Sequence, residues 1–200
     1  MKILLATKNK DKVREIRAAL SGLNIEVLSA ADMPELPDVE EDAPTLEGNA
    51  LKKAETIFKI TQIPCVADDT GLEVEALNGA PGVFSARYSG PNATYQDNVN
   101  KLLHEMRDVP SDNRKARFRT VMAYTSESGS QTVEGVCDGR ITTAQRGNNG
   151  FGYDPVFEVG KTGKTLAEMP LEEKNKISHR GRAIREIVSL FEQELGGNKS

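Results

Sequence analysis

Two adjacent carboxylates, Asp68 and Asp69, follow the apolar run Ile63-Pro64-Cys65-Val66-Ala67. Like charges side by side repel, so a pair at the exit of a strand is either solvated or meant for a cation. Magnesium takes oxygen ligands, commonly one or two carboxylates plus substrate phosphates. The acidic stretch Glu40-Glu41-Asp42 offers a further carboxylate, although alone it reads as solvated charge. A second cluster, Thr7-Lys8-Asn9-Lys10-Asp11-Lys12, brings ammonium groups and a helix start, which suit phosphates. It lacks the Gly-x-x-x-x-Gly-Lys pattern of a P-loop, and a lysine-rich surface turn is the competing reading. In Gly147-Asn148-Asn149-Gly150-Phe151-Gly152-Tyr153-Asp154-Pro155, glycines flank one aromatic ring. Such a ring can stack on a nucleobase, worth about 1–3 kcal/mol; alternatively it plugs the core. Lys174-Asn175-Lys176-Ile177-Ser178-His179-Arg180 precedes the last helix. Ser178 can cap that helix, and His179 and Arg180 then oppose its dipole, so an acceptor-rich partner is expected nearby. Ser85-Ala86-Arg87-Tyr88-Ser89-Gly90 either clamps a sugar or phosphate or packs on its own Tyr.

These groups need a scaffold, and the apolar periodicity supplies one. Ile3–Thr7 reads as a strand, a helix follows with Val13, Ile16 and Leu20 on one face, and residues 25–28 form a second strand. This β-α-β opening puts the Thr7–Lys12 loop at the carboxyl end of a strand, where open α/β sheets bind ligands. Residues 34–44 are rich in proline and acids and read as loop; Thr45 caps a helix carrying Leu46, Ala50, Ala54, Ile57 and Phe58. Strand 63–67 leads to the Asp pair. A helix over residues 94–106, a hairpin of 117–124 with 131–137, and a final helix over 181–195 complete a mixed α/β order in a single domain, 1–200. With 38% hydrophobic residues, 28% charged and a net charge of −4, the composition is that of a soluble globular protein and argues against broad nucleic-acid binding. No apolar run of about 18 residues predicts a membrane span. Cys65 and Cys137 sit in strand-like contexts and read as reduced core thiols of a cytoplasmic protein, with a disulfide between them as the competing reading.

The joint order of the motifs is more telling than any one of them. Thr7-x-Asn9-x-x-Lys12, Glu40-Glu41, Ala67-Asp68-Asp69-Thr70-Gly71-Leu72, Gly79-x-Pro81-Gly82-Val83-x-Ser85-Ala86-Arg87-Tyr88, Gly150-Phe151-Gly152-Tyr153-Asp154-Pro155 and Ser178-His179-Arg180-Gly181 follow one another. This succession closely resembles the inosine triphosphate pyrophosphatase family, over nearly the whole chain. The resemblance implies an elongated mixed sheet flanked by helices, with two lobes, a cleft between them, and a homodimeric assembly. It implies hydrolysis of ITP, dITP and XTP to the nucleoside monophosphate and pyrophosphate, with magnesium as cofactor. Residue by residue it implies that the first loop (Thr7, Lys8, Asn9, Lys10, Asp11, Lys12) and Lys53 hold the triphosphate, with Thr70 beside them. Asp69 becomes the catalytic base and a metal ligand, joined by Glu40, the favoured acid, or Glu41. Phe151, Gly152, Tyr153, Asp154, Lys174, His179 and Arg180 become the base pocket. A donor from Arg180 or a backbone N–H would meet the acceptor at purine position 6, and the wall at Tyr153-Asp154 would turn away guanine. Thr70 stands where the family commonly has Ser. Gly48 stands where it usually has an acid, in a helix where glycine costs about 0.5–1 kcal/mol relative to alanine. Two other readings compete: a septum-inhibitor-like pyrophosphatase for modified pyrimidine triphosphates, and a nucleotide or RNA binder without catalysis.

Overall fold

The computed structural model describes residues 1–160 and 162–197, with side chains up to residue 192. β1 (Lys2–Leu5) runs through a polar loop into α1 (Lys10–Leu20) and back into β2 (Glu26–Ser29), the expected β-α-β opening. β1 pairs in parallel with β2 along its full length, and its end pairs in parallel with β3 (Cys65–Val74). Between β2 and β3 come the proline-rich loop and α2 (Leu46–Thr61), capped by the Thr45 hydroxyl, which accepts from the Gly48 N–H. After β3 follow the short β4 (Pro81–Gly82), α3 (Tyr95–Glu105), β5 (Lys115–Ser126), β6 (Gly129–Ile141), β7 (Phe157–Val159), α4 (Leu171–Ile177) and α5 (His179–Gly197). The sheet order is β2-β1-β3-β5-β6-β7, with β4 added antiparallel to β3.

Two expectations are corrected here. Strand β3 does not stop at residue 67. Leu72 and Val74 are fully buried, and Leu72 and Glu73 register against Gly82 and Pro81, so the chain stays extended through the Asp pair. The two aspartates therefore lie in mid-strand, not at its exit. Lys174, Asn175 and Lys176, expected only as the segment ahead of the last helix, belong to a short helix of their own, α4. Pro170 opens it, Glu172 and Glu173 suit the positive end of its dipole and Lys174 and Lys176 the negative end.

The chain forms two compact units. The first comprises Met1–Asp69, Thr120–Gly135 and the chain from Arg180 onward; the second comprises Thr70–Arg119 and Val136–His179. Each has its own core. In the first, Ile3, Leu5 and Val66 pack with Val13 and Ile16 of α1 and with Ile184, Ile187 and Phe191 of α5. In the second, Leu72, Val74, Val99, Leu102, Met106, Phe118 and Phe157 pack together. Burying each such side chain contributes about 1.5–3 kcal/mol.

Candidate active site

Successive residues of a strand point to opposite faces. Along β3, Val66 and Asp68 share one face, while Cys65, Ala67 and Asp69 share the other. Val66 packs in the core formed with α1 and α5, so Asp68 points toward those two helices. They meet it with cations: Lys12 Nζ lies 3.2 Å away, and Arg180 donates from Nη2 at 3.1 Å and Nε at 3.3 Å. Arg180 also donates to Glu15 of α1, and Asp68, Glu15 and Arg180 are each at most 2% exposed. Burial by itself would raise the Asp68 carboxyl. Lys12, Arg180 and Lys53 outweigh it and hold that carboxyl well below the usual range.

Asp69 faces a different set of groups. Asn49 of α2 donates from Nδ2 to Asp69 at 2.9 Å, while its Oδ1 accepts from the Ala43 N–H at 2.9 Å. One turn further along α2, Lys53 donates to Glu41 at 2.5 Å and to the Asp68 carbonyl at 2.6 Å. Burial raises the Asp69 carboxyl above the usual range, and Glu41's charge adds to the rise against the pull of Lys53. Neighbouring aspartates are thus driven in opposite directions, one held ionised and one made basic. Divergence of this kind marks acid–base division of labour in a site.

The two glutamates sit in different surroundings. Glu41 is half-buried and paired with Lys53, which holds its carboxyl low despite burial; the favoured Glu40 is exposed. Asp69 and Glu41 are two carboxylates of the kind that can hold a magnesium ion when phosphates complete its shell. Among the described residues no group of three or more His, Cys, Asp and Glu side chains gathers into a metal cluster.

The first loop is more occupied than a bare phosphate cradle. Asn9 caps α1, accepting from the Asp11 and Lys12 N–H groups, and Thr7 Oγ1 accepts from the Asn9 N–H. Lys8 donates to the Leu36 carbonyl and lies 3.0 Å from Asp38; Asp11 pairs with Arg14, and Lys10 is exposed. Gly48 now has an explanation, because a Cβ there would sit 2.8 Å from the Ala43 Cβ. Ala43 is the residue that Asn49 holds, so the glycine lets the acidic loop close over the start of α2.

In the second unit, Phe151 sits half-buried on its glycine loop. Tyr95 packs against it at 5.6 Å between ring centroids, and Lys174 Nζ lies 5.1 Å from the ring centre. Asp154 accepts from the Phe151 N–H at 2.8 Å and from buried Lys174 at 2.5 Å, so its carboxylate fastens the loop. At Gly150, φ is +73° and a Cβ would run into that carboxylate. Tyr153 is buried and donates to the Ser85 carbonyl at 2.8 Å; Ser85 Oγ in turn accepts from the Leu72 N–H. Thr70 is half-buried in β3. His179 stacks on Phe118 with centroids 4.4 Å apart and is 3% exposed. Arg180, expected to reach the base, is instead bound to Asp68 and Glu15 in the first unit. Sequence reasoning missed Glu15 and Asn49. Glu15 lies three residues after Lys12, and Asn49 four before Lys53, spacings that share a helix face and were there to be read.

The model of the Ham1 family matches residues 3–190. A protein of Geobacter sulfurreducens named dITP/XTP pyrophosphatase is 50% identical, covering 98% of this chain and 96% of the relative. One of the same name from a Thermoanaerobacter species is 49% identical, covering 98% of each. Among solved structures, a HAM1 protein from Coxiella burnetii superposes with a TM-score of 0.86 at 39% identity, over 96% of this chain and 99% of that one. The Staphylococcus aureus Ham1 protein gives 0.84 at 36%, over 97% and 100%.

Proposed function

The chain belongs to the Ham1 family, and from that membership we propose that it hydrolyses dITP, XTP and ITP to the nucleoside monophosphate and pyrophosphate. The observation that carries the reading is the split between the adjacent carboxylates, Asp68 ion-paired with Lys12 and Arg180, Asp69 buried beside Glu41 with a raised pKa.

Magnesium, held by Asp69 and Glu41 together with substrate oxygens, would offset the phosphate charge that repels an attacking water. Asp69, whose carboxyl is raised, takes the proton of that water. Asn49 orients the Asp69 carboxylate from the opposite side of its hydrogen bond. Lys53 and Lys12, already anchored to acids at this site, place positive charge where the departing pyrophosphate gathers negative charge. Lys12, Arg180 and Lys53 keep Asp68 ionised, Glu15 fixes Arg180 beside it, and Asp68 in turn holds Lys12 in place. The N-terminal turn of α1, with Thr7, Lys8, Asn9, Lys10 and Asp11, borders the phosphates, and Thr70 lies next to the base in sequence.

Recognition of the purine falls to the second unit. Phe151 offers a half-exposed ring for stacking, and Lys174 with Asp154 holds that ring's loop in shape. The N–H groups of Gly152 and Tyr153 carry no hydrogen bond among the described residues. Either supplies a donor to the acceptor at position 6 of hypoxanthine or xanthine, where adenine presents a donor of its own. A buried mismatch of that kind discriminates by about 10⁴-fold. Magnesium as the ion, a homodimer as the assembly and the cytoplasm as the location complete the proposal. No helix among the described residues is long and apolar enough to cross a membrane.

The test is pyrophosphate release from dITP, XTP, ITP, GTP, ATP and dUTP, with magnesium and with chelator. Turnover of the first three, lost on chelation, is expected. Turnover confined to dUTP would instead favour a pyrimidine enzyme.

A further inference from the structure

Arg114 is a buried cation that pairs with no carboxylate among the described residues. It is 3% exposed, and burial pushes its guanidinium below the ordinary value. Its Nε donates to the Ile141 carbonyl at 2.7 Å, its Nη1 to Met106 and Val109 at 2.6 and 3.1 Å, and its Nη2 to Thr142 at 2.9 Å. A guanidinium has five N–H groups; these four bonds leave one N–H of Nη2, and every acceptor is a neutral main-chain carbonyl. Buried charges are ordinarily paired.

The same side chain lines a cavity of about 200 Å³ shared with Ser111, Arg140, Thr142, Arg146 and Glu158. There one carboxylate serves two arginines: Glu158 accepts from Arg140 Nε at 2.7 Å and from Arg146 Nη2 at 2.6 Å. Glu168 lies 3.6 Å from Arg146 Nε. Three arginines against these two acids leave a positive excess, and of the two only Glu158 lines the cavity. The Arg140 side chain is 53% exposed, and its terminal nitrogens hold no hydrogen bond among the described residues.

We propose that this cavity binds a small phosphate-class anion. The planar forks of arginine match phosphate oxygens two at a time, and the Ser111 hydroxyl adds a donor at the rim. Pockets for larger ligands run about 300–1,000 Å³, so the volume suits inorganic phosphate or pyrophosphate and not a whole nucleotide. Two sources are then available, free phosphate and the pyrophosphate released by the reaction proposed above. The site itself is built from the second unit's residues and stands whether or not that reaction is the right one.

The experiment is calorimetric titration of inorganic phosphate, and separately pyrophosphate, into metal-free protein, comparing wild type with Arg140→Gln and Arg140→Lys. Saturable binding to wild type is expected, weakened about ten- to a hundredfold in Arg140→Gln, as loss of a charge-assisted hydrogen bond implies. Arg140→Lys, which keeps the charge without the fork, should fall between. Tighter binding of one anion identifies the source. Anion held at the carboxylate site of the first unit would survive Arg140→Gln, and an exposed side chain makes that variant safe to fold. Identical isotherms in wild type and Arg140→Gln, or no binding of either anion to wild type at millimolar concentration, would overturn the proposal.

Discussion

Asp68 and Asp69 differ by one position and have opposite surroundings. The alternation of β3 turns one toward Lys12 and Arg180 and the other toward Asn49 and Glu41. Removing either charge should therefore fail in a different way. Asp68→Asn leaves Arg180 and Lys12 short of a buried counter-ion, and loss of one partner from such a pair costs about 3–5 kcal/mol. Urea denaturation should show that loss, whereas nucleotide hydrolysis by the fraction still folded should fall less than in Asp69→Asn, because Asp68 acts only through Lys12. An unchanged denaturation midpoint would remove Asp68 from its supporting role. The sequence made the adjacency plain and even posed the right question about a cation. It could not show the division of labour, because placing the pair at a strand exit hides the alternation that separates them. The difference in surroundings between Glu40 and Glu41 was equally hidden, since it depends on Lys53 arriving from α2.

Among the elements, α2 carries the larger share of the site. Its first turn closes under the acidic loop at Gly48, and its next residues deliver Asn49 and Lys53. Helix propensity alone says that Gly48→Ala should stabilise by about 1 kcal/mol. The Ala43 Cβ at 2.8 Å says otherwise, and a fall in the thermal midpoint is predicted; a rise would show that the loop gives way freely. Asn49→Ala removes a donor to Asp69 and an acceptor for the Ala43 N–H, a loss of about 1–3 kcal/mol for the group left unsatisfied. Its kcat should drop more than its KM rises, because the substrate is not its partner. Apolar periodicity revealed α1, α2, α3 and α5 because each has a buried stripe. Helix α4 escaped because seven residues are too few for a period to show, and β3 was cut short because its polar middle masks the continuing strand.

Across the whole molecule, stability depends on acids held ionised by neighbouring cations. Burial by itself would raise the Glu158 carboxyl; Arg140 and Arg146 outweigh it and keep that carboxyl below the ordinary 4.5. A carboxyl depressed in the folded state contributes stability above its unfolded value and loses that contribution as pH falls through the folded value. Wild type should therefore lose stability below about pH 4.5 more steeply than Glu158→Gln, as read from thermal midpoints across pH. Parallel curves would contradict this. The fold class and most motifs were legible because the family pattern spans the chain, while the pairing of Arg180 with Asp68 and Glu15 joins residues more than a hundred positions apart and no local spacing announces it. The most direct measurement is pyrophosphate release from dITP by Asp69→Asn with magnesium present, beside nucleotide binding by the same variant. Loss of a general base predicts turnover reduced by about 10²–10⁴-fold with dITP still bound. Turnover within a few-fold of wild type would contradict the assignment of Asp69 and the mechanism built on it.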